Sequence, residues 1–210
     1  MLLDALREFR VDDKRIGYER NSYFFPAYQQ DFVHTRLSKG KLLDCFGIVE
    51  QGRLRKSPVE IELMRKAATA TEAGMKAGLE ACVPGATEND IGAAISSAMF
   101  KAGGEPPAVM PYVTSGPRTM IGHATWEGRV VKPGEHVFLE VGGCYRRYHT
   151  AMMRTAVLGE LSDSMYKAQE TMKHALDAVH EYFQPGMTVS ACASARARNA
   201  FCTSLSCCRL

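Results

Sequence analysis

The sequence lacks a long apolar run, and this argues against a membrane-spanning helix. No stretch approaches the ~18 consecutive apolar residues that such a helix needs. The first ten residues include Asp4 and Glu8 and contain no continuous apolar segment, so they are not typical of a secretory signal peptide. These absences predict a cytoplasmic protein with no membrane partner.

The chain also has little excess charge of either sign. Its formal net charge is +3, and its basic runs, such as Lys14-Arg15 and Arg53 to Lys56, are short. A nucleic-acid-binding surface needs basic residues clustered in a stripe. Because the sequence has no such cluster, we expect no nucleic-acid partner.

Cysteines are sparse until the last part of the chain. There are seven, an odd number, and four of them follow residue 190, which is not typical of a disulfide framework. The Cys207-Cys208 pair has no histidine nearby, so a metal site is not favoured there. Residues 201–210 show neither periodicity nor a helix cap, and we expect a non-native or disordered tail.

Apolar residues make up 46% of the 210 residues, enough for a sizeable core. Residues 1–49 have mixed α/β character, with a buried strand predicted between Leu42 and Val49. This segment is too small for a secure core of its own. We therefore assign residues 1–53 to the C-terminal part of an N-terminal domain and its linker, and residues 54–200 to an α/β (α+β) domain.

Two helices are predicted at the start of that domain. Residues 57–60 supply an N-cap serine, a proline at the first helical position and a capping-box glutamate. Apolar residues then recur at helical spacing over residues 60–82, and Val83-Pro84-Gly85 ends the pattern. A second helix is predicted over residues 87–103, so the pair forms an antiparallel αα-hairpin.

Short strands are predicted after Pro107, and a further helix after Ser162. The predicted strands lie at Val109–Val113, Val130–Val131, Val137–Val141 and Tyr145–Val157. Gly142-Gly143 is interpreted as the turn between the last two strands. Tyr112 and Trp126 are assigned to core packing rather than to a pocket wall.

The chain also repeats itself. A Pro-Gly break followed by threonine occurs at residues 83–87 and again at residues 184–188, about 100 residues later. A helix precedes each break, and a helix and a sheet follow the first one. This period is too long for a solenoid unit, so it indicates duplication of a half-domain.

Motifs across residues 50–190 resemble the catalytic domain of the creatinase and Xaa-Pro peptidase family. They are Lys56–Ile61, Met64–Ala68, Gly122-His123, Gly134-Glu135, Phe138–Gly142 and Tyr148–Thr155. The resemblance implies a pita-bread fold with internal pseudo-two-fold symmetry, which agrees with the repeat. It implies a truncated member that carries the first half of the fold and the remnant of an N-terminal domain, and a homodimer in the full-length form.

The resemblance also bears on metal binding. Peptidases of this family hold two metal ions, and their first strand pair supplies two aspartates at the positions of Glu140 and Ala151. Alanine has no ligand atom, and losing a bridging carboxylate disables a dinuclear site. The other family ligands, a histidine and two glutamates, would lie in the missing half. We therefore expect no metal and no other cofactor.

Metal-free relatives such as creatinase and ectoine hydrolase point to another chemistry. They hydrolyse a C–N bond in a small molecule with a histidine as general acid/base, and His123 stands at the position that resembles it. An imidazole both takes and returns a proton near neutral pH. His123 is therefore the predicted catalytic residue.

Four residues are predicted to bind substrate. Glu140 is an isolated carboxylate in an apolar strand and needs a partner, for which Arg154 is a candidate. Tyr148 and His149 are adjacent on a strand, so they point to opposite faces, and the sequence does not decide which one faces the pocket. A structural role for Arg154 and His149 remains an equal alternative.

Three functions stay open at this stage. The favoured one is metal-independent hydrolysis of a C–N bond in a small molecule, closest in kind to ectoine hydrolase. The alternatives are a Xaa-Pro dipeptidase or aminopeptidase and a non-catalytic pita-bread binding protein. We expect this length of chain to be inactive alone, because half of the expected carboxylates are absent from it.

Overall fold

A computed structural model describes residues 2–37, 40–188 and 190. The chain divides into two compact units between Leu63 and Met64, inside a long helix that begins after the predicted domain boundary at residue 53. The predicted tail at 201–210 and the predicted domain end at residue 200 lie outside the described residues. Among the residues described, each helix is either too short or too polar to span a lipid bilayer.

The first unit is small and mixes helices with a two-stranded parallel sheet. Its elements are α1 (Leu2–Glu8), β1 (Arg15–Tyr18), α2 (Ala27–Arg36), β2 (Lys41–Asp44) and α3 (Ile48–Leu54). The strand predicted up to Val49 is therefore too long. Asp44 Oδ1 accepts the Phe46 N–H at 2.9 Å, and Gly47 takes a left-handed φ of 91°, so the chain turns into α3.

The two predicted helices are present as α4 (Pro58–Ala81) and α5 (Glu88–Lys101). The capping box at the start of α4 is confirmed, since the Ser57 N–H donates to Glu60 Oε2 at 2.6 Å and the Glu60 N–H donates to Ser57 Oγ at 3.3 Å. A Cβ on Gly74 would approach Met99, and one on Gly78 would approach Ile95. The contacts advance along α4 as they retreat along α5, so the hairpin is antiparallel.

The helices pack on one face of a three-stranded antiparallel sheet with the order β3-β4-β5. Its strands are β3 (Tyr112–Ser115), β4 (His136–Tyr145) and β5 (Tyr148–Val157). The odd-numbered residues Val137, Leu139 and Val141 of β4 are buried in the core beside Ile91 and Ile95 of α5. The even-numbered residues of β4 before Cys144 are turned to the opposite face and are half-buried.

Three predictions for this sheet are wrong. The strand predicted from Val109 begins only at Tyr112. The β4–β5 turn lies at Arg146-Arg147, both with left-handed φ, and not at Gly142-Gly143, which belong to β4. Glycine is needed at 143 because a Cβ there would lie 2.6 Å from the carbonyl oxygen of Ala67 on α4. Val130 forms only an isolated bridge with Thr87, since residues 130–131 are followed at once by the Pro133-Gly134 turn.

The internal repeat seen in the sequence is also present in the backbone conformation after α4 and after the corresponding later helix. After α4, Gly85 has φ of 91° and the Ala86 N–H donates to the Val83 carbonyl oxygen at 3.1 Å. After α6 (Asp163–Tyr182), which Ser162 caps, Gly186 has φ of 93° and an equivalent bond joins Met187 to Gln184 at 3.2 Å. The two helices therefore end in the same kind of turn.

Because of the ion pair between Arg129 and Glu135, part of the folding stability is expected to be lost as the pH falls in the acid range. Hydrogen bonds and charge from Arg129 lower the pKa of Glu135 from 4.5 to about 2. A lowered carboxyl pKa stabilises the folded state above the unfolded pKa, and this contribution is lost as pH falls through the folded pKa. The window for Glu135 therefore runs from pH 4.5 down to about 2.

We expect Glu135→Gln to flatten the fall in the free energy of unfolding on acidification. The measurement is urea unfolding of the variant and the unmodified chain at about pH 5 and about pH 3. Glu80→Gln is the matched control, because Glu80 is exposed and lies 4.0 Å from Lys76. If the free energy of unfolding falls by the same amount on acidification in Glu135→Gln and in the unmodified chain, Glu135 is not the group responsible for this pH dependence.

Candidate active site

A pocket of about 370 Å³ opens on the sheet face opposite the one that α4 and α5 cover. Its floor comes from three strands, because register places Tyr112 of β3 and Met153 of β5 opposite Glu140, and Ala151 opposite Gly142. The pocket is lined by Ala108, Val109, Met110, Tyr112, His123, Glu140, Gly142, His149, Thr150 and Ala151. The lining is apolar except for a few polar groups, as is usual for small-molecule sites.

His123 and Glu140 meet in this pocket. His123 Nε2 lies 3.5 Å from Glu140 Oε2, with the histidine side chain 68% exposed and the carboxylate 16% exposed. The histidine ring also stacks on Tyr112, with 5.1 Å between centroids and 25° between planes. Glu140 is thus a carboxylate with an imidazole partner, and both side chains line the pocket.

The backbone at His123 is unusual. Its φ is 57°, in the left-handed region that non-glycine residues seldom occupy. Such a conformation persists where surrounding contacts hold it, and it is frequent at functional sites. In this conformation the ring lies beside Glu140 of β4 and stacks on Tyr112 of β3.

His149 also lines the pocket, but both of its ring nitrogens are engaged by the backbone. Nε2 lies 3.0 Å from the Ala108 N–H, which can only donate, so Nε2 accepts. Nδ1 therefore carries the proton and donates to the Arg147 carbonyl oxygen at 3.0 Å. The ring thus joins Ala108, at one end of the pocket wall, to β5, so His149 shapes this wall.

Tyr148 and Arg154 are not brought to the pocket. Register pairs Tyr148 with Tyr145 and Arg154 with Leu139, which alternate with the pocket-facing positions. Arg154 is exposed and donates to the Met153 carbonyl oxygen at 2.7 Å. The pairing of Arg154 with Glu140 suggested by the sequence is therefore not formed, and His123 takes that place.

The pocket does not fit the two-carboxylate end of a dinuclear metal site. Ala151 faces the same side as Glu140, and its methyl group offers no ligand atom to a metal ion. Across residues 2–37, 40–188 and 190, no cluster of three or more His, Cys, Asp or Glu side chains is placed to hold a metal ion. The residues that are present do not match that ligand set.

Two parts of the pocket were missed by sequence reasoning. Tyr112 was assigned to the core, yet it lines the pocket, whereas Trp126 does pack against the core as predicted. The alternation of side-chain direction along β4 could have identified Tyr112. A residue paired with Glu140 in the neighbouring strand lies on the same face of the sheet as Glu140. The wall at Ala108–Met110 has no pattern in the sequence that marks it.

Sequence comparison matches this chain to known hydrolases and peptidases. The model of metallopeptidase family M24 matches residues 62–201. An uncharacterized hydrolase/peptidase of Sinorhizobium fredii is 32% identical over 77% of this chain and 42% of that protein. Ectoine hydrolase of Halomonas elongata is 29% identical over 81% of this chain and 45% of that enzyme.

The fold agrees with solved structures of the same kind. X-Pro aminopeptidase of Thermotoga maritima superposes with a TM-score of 0.88 at 22% identity, covering 97% of this chain and 56% of that one. The pita-bread fold implied by the motifs is therefore confirmed. The chain spans about half the length of the proteins it matches.

Proposed function

This chain belongs to metallopeptidase family M24, and from that premise we propose that the whole protein hydrolyses a C–N bond in a small molecule without metal. The observation that carries this proposal is the His123–Glu140 pair in a pocket where Ala151 replaces a second carboxylate. The similarity to ectoine hydrolase supports ectoine, or a related small C–N compound, as the substrate. A cytoplasmic homodimer is part of the same proposal.

The proton chemistry follows from which nitrogen faces which partner. With Nε2 directed at Glu140, Nδ1 is the nitrogen left to accept a proton from water. The resulting hydroxide attacks the carbon of the C–N bond while Glu140 stabilises the imidazolium. As the bond breaks, the imidazolium returns its proton to the leaving nitrogen, so water is consumed and His123 is regenerated.

The experiment is an assay of the whole protein, this chain with any continuation of its reading frame, on ectoine in the presence of a chelator. Hydrolysis of a ring C–N bond yields a product heavier by one water, which mass spectrometry detects. Turnover unaffected by the chelator is the expected result. Turnover that appears only with added divalent metal would contradict the proposal.

A Xaa-Pro dipeptidase is the alternative within the family. It is disfavoured by Ala151, because two-metal hydrolysis needs carboxylates that bridge both ions. An assay on Xaa-Pro dipeptides with Mn²⁺ or Co²⁺ separates the two functions, and we expect no cleavage there.

Metal content gives a test that does not depend on the substrate. We expect the purified whole protein to contain no stoichiometric Mn, Co, Zn or Fe, because the second ligand position is alanine. Elemental analysis by mass spectrometry is the measurement. About two metal ions per chain, as in a dinuclear hydrolase, would contradict this expectation.

A further inference from the structure

The loop that carries His123 is fastened at both ends to one buried carboxylate. Glu88 is the first residue of α5 and is 0% exposed. Its Oε1 accepts the backbone N–H and the hydroxyl of Ser115, each at 2.8 Å, and its Oε2 accepts the Glu127 N–H at 2.8 Å. Residues 115–127, here called the His123 loop, therefore begin and end on the same side chain.

The inside of the loop is tied to the same place. Arg118 NH1 lies 3.4 Å from Glu88 Oε2, and Arg118 NH2 donates to the Thr125 carbonyl oxygen at 2.8 Å. Trp126 adds packing, since its ring lies against Gly92 on the next turn of α5. Both arms of the loop are thus held on the first turns of one helix, with His123 between them.

A buried carboxylate with this many donors is a firm anchor. Burying a charge costs free energy unless hydrogen bonds and an opposite charge compensate it, and removing the compensated charge leaves its donors unpaired. The N-terminus of α5 also favours an anion at this position. Any change at Glu88 therefore acts on the loop rather than on a solvated surface.

We propose that Glu88 is the positioning residue that holds His123 against Glu140 and Tyr112. The role in turnover rests on the proposed function, whereas the geometric role does not. His123 is 68% exposed and holds a left-handed backbone conformation, which persists only where contacts elsewhere in the loop maintain it. Since a misplacement of about 1 Å can cost ~10² in rate, the anchor determines whether the proton carrier meets its carboxylate.

The test is Glu88→Gln, which keeps the shape but replaces an acceptor oxygen with an NH₂ group facing donors. The first readout is NMR of the His123 ring protons, which the stacked Tyr112 ring shifts upfield; Tyr112→Leu supplies the unstacked reference. We expect this shift to be largely lost in Glu88→Gln while the rest of the spectrum remains dispersed. In the whole protein, kcat should fall roughly 10- to 100-fold, with KM changed much less.

Two variants act as controls. Glu127→Gln removes an exposed carboxylate 3.0 Å from Arg118 but keeps the backbone N–H on Glu88, so it should leave the stacking shift unchanged. Glu88→Asp keeps the anion on a shorter side chain and should restore part of the shift. If Glu88→Gln does not fold, the same NMR measurement is made on Arg118→Gln. This change removes the ion pair between Arg118 and Glu88, and the Arg118 side chain is 20% exposed, so the loop should loosen while the protein still folds.

The outcomes separate the two proposals. A full His123 shift in a folded Glu88→Gln, or in Arg118→Gln if that variant is needed, would overturn the positioning role. Loss of the shift together with unchanged turnover in His123→Ala would keep the positioning role and reject His123 as proton carrier.

Discussion

Replacing His123 with alanine in the whole protein should lower turnover of the C–N substrate by about 10²–10⁴-fold. The size of the loss follows from what the pocket contains. Under the proposed function, Ala151 supplies no second carboxylate for an activating metal pair, and a positioned base activates the water. His123 is placed for that role by its 3.5 Å approach to Glu140.

His149, the other histidine that lines the pocket, is unsuited to the role. Its Nε2 accepts from the Ala108 N–H, and its Nδ1–H donates to the Arg147 carbonyl oxygen, so neither nitrogen is available for a substrate proton. Protonating Nε2 would break the bond that holds the pocket wall. The loss in His123→Ala should therefore not be made good by its neighbour.

The measurement is kcat and kcat/KM under saturating and limiting substrate, with circular dichroism to verify the fold. His174→Ala on α6 is the matched control, since His174 is exposed and does not line the pocket. It should keep the turnover of the unmodified protein. Equal turnover for His123→Ala and His174→Ala would show that another group carries the proton.

Much of the helical architecture could be predicted because local signals determine helix ends. The capping boxes at Ser57 and Thr87 and the Pro-Gly breaks act through neighbours a few residues away, so they are visible in the sequence. The β4–β5 turn was placed wrongly because two glycines are the usual turn signal. In this chain, two arginines adopt the left-handed angles of the turn instead.

The site was predictable only in part, for a related reason. His123 and Glu140 were both identified, and the structure brings them together. Which of Tyr148 and His149 faces the pocket depends on strand register, and register is determined by pairing between distant residues. The anchoring of the His123 loop by Glu88 joins positions up to 39 residues apart, so no local sequence pattern predicts it.

Gly143 illustrates how a packing requirement can look like a turn signal. The glycine lies in β4 where α4 crosses closely, and its N–H donates to Thr71 Oγ1 at 3.0 Å. That hydroxyl also contacts Thr150 Oγ1 of β5 at 2.8 Å, so one threonine joins the helix to both strands. Neither Gly142 nor Gly143 has a left-handed φ, so backbone strain does not explain the pair.

Gly143→Ala should therefore destabilise the second unit by about 2–4 kcal/mol, through overpacking and loss of the Thr71 hydrogen bond. An added Cβ would lie 2.6 Å from the Ala67 carbonyl oxygen and 2.7 Å from the Thr71 nitrogen, and backbone atoms cannot yield without moving α4. Gly142→Ala is the matched control, because its Cβ would meet only Thr150 O at 3.8 Å on the pocket face. Alanine there should leave stability unchanged or raise it by roughly 0.5–1 kcal/mol, since glycine is unfavourable inside a strand. Urea unfolding of the two variants distinguishes the cases, and equal midpoints would show that α4 does not press on β4 as the structure indicates.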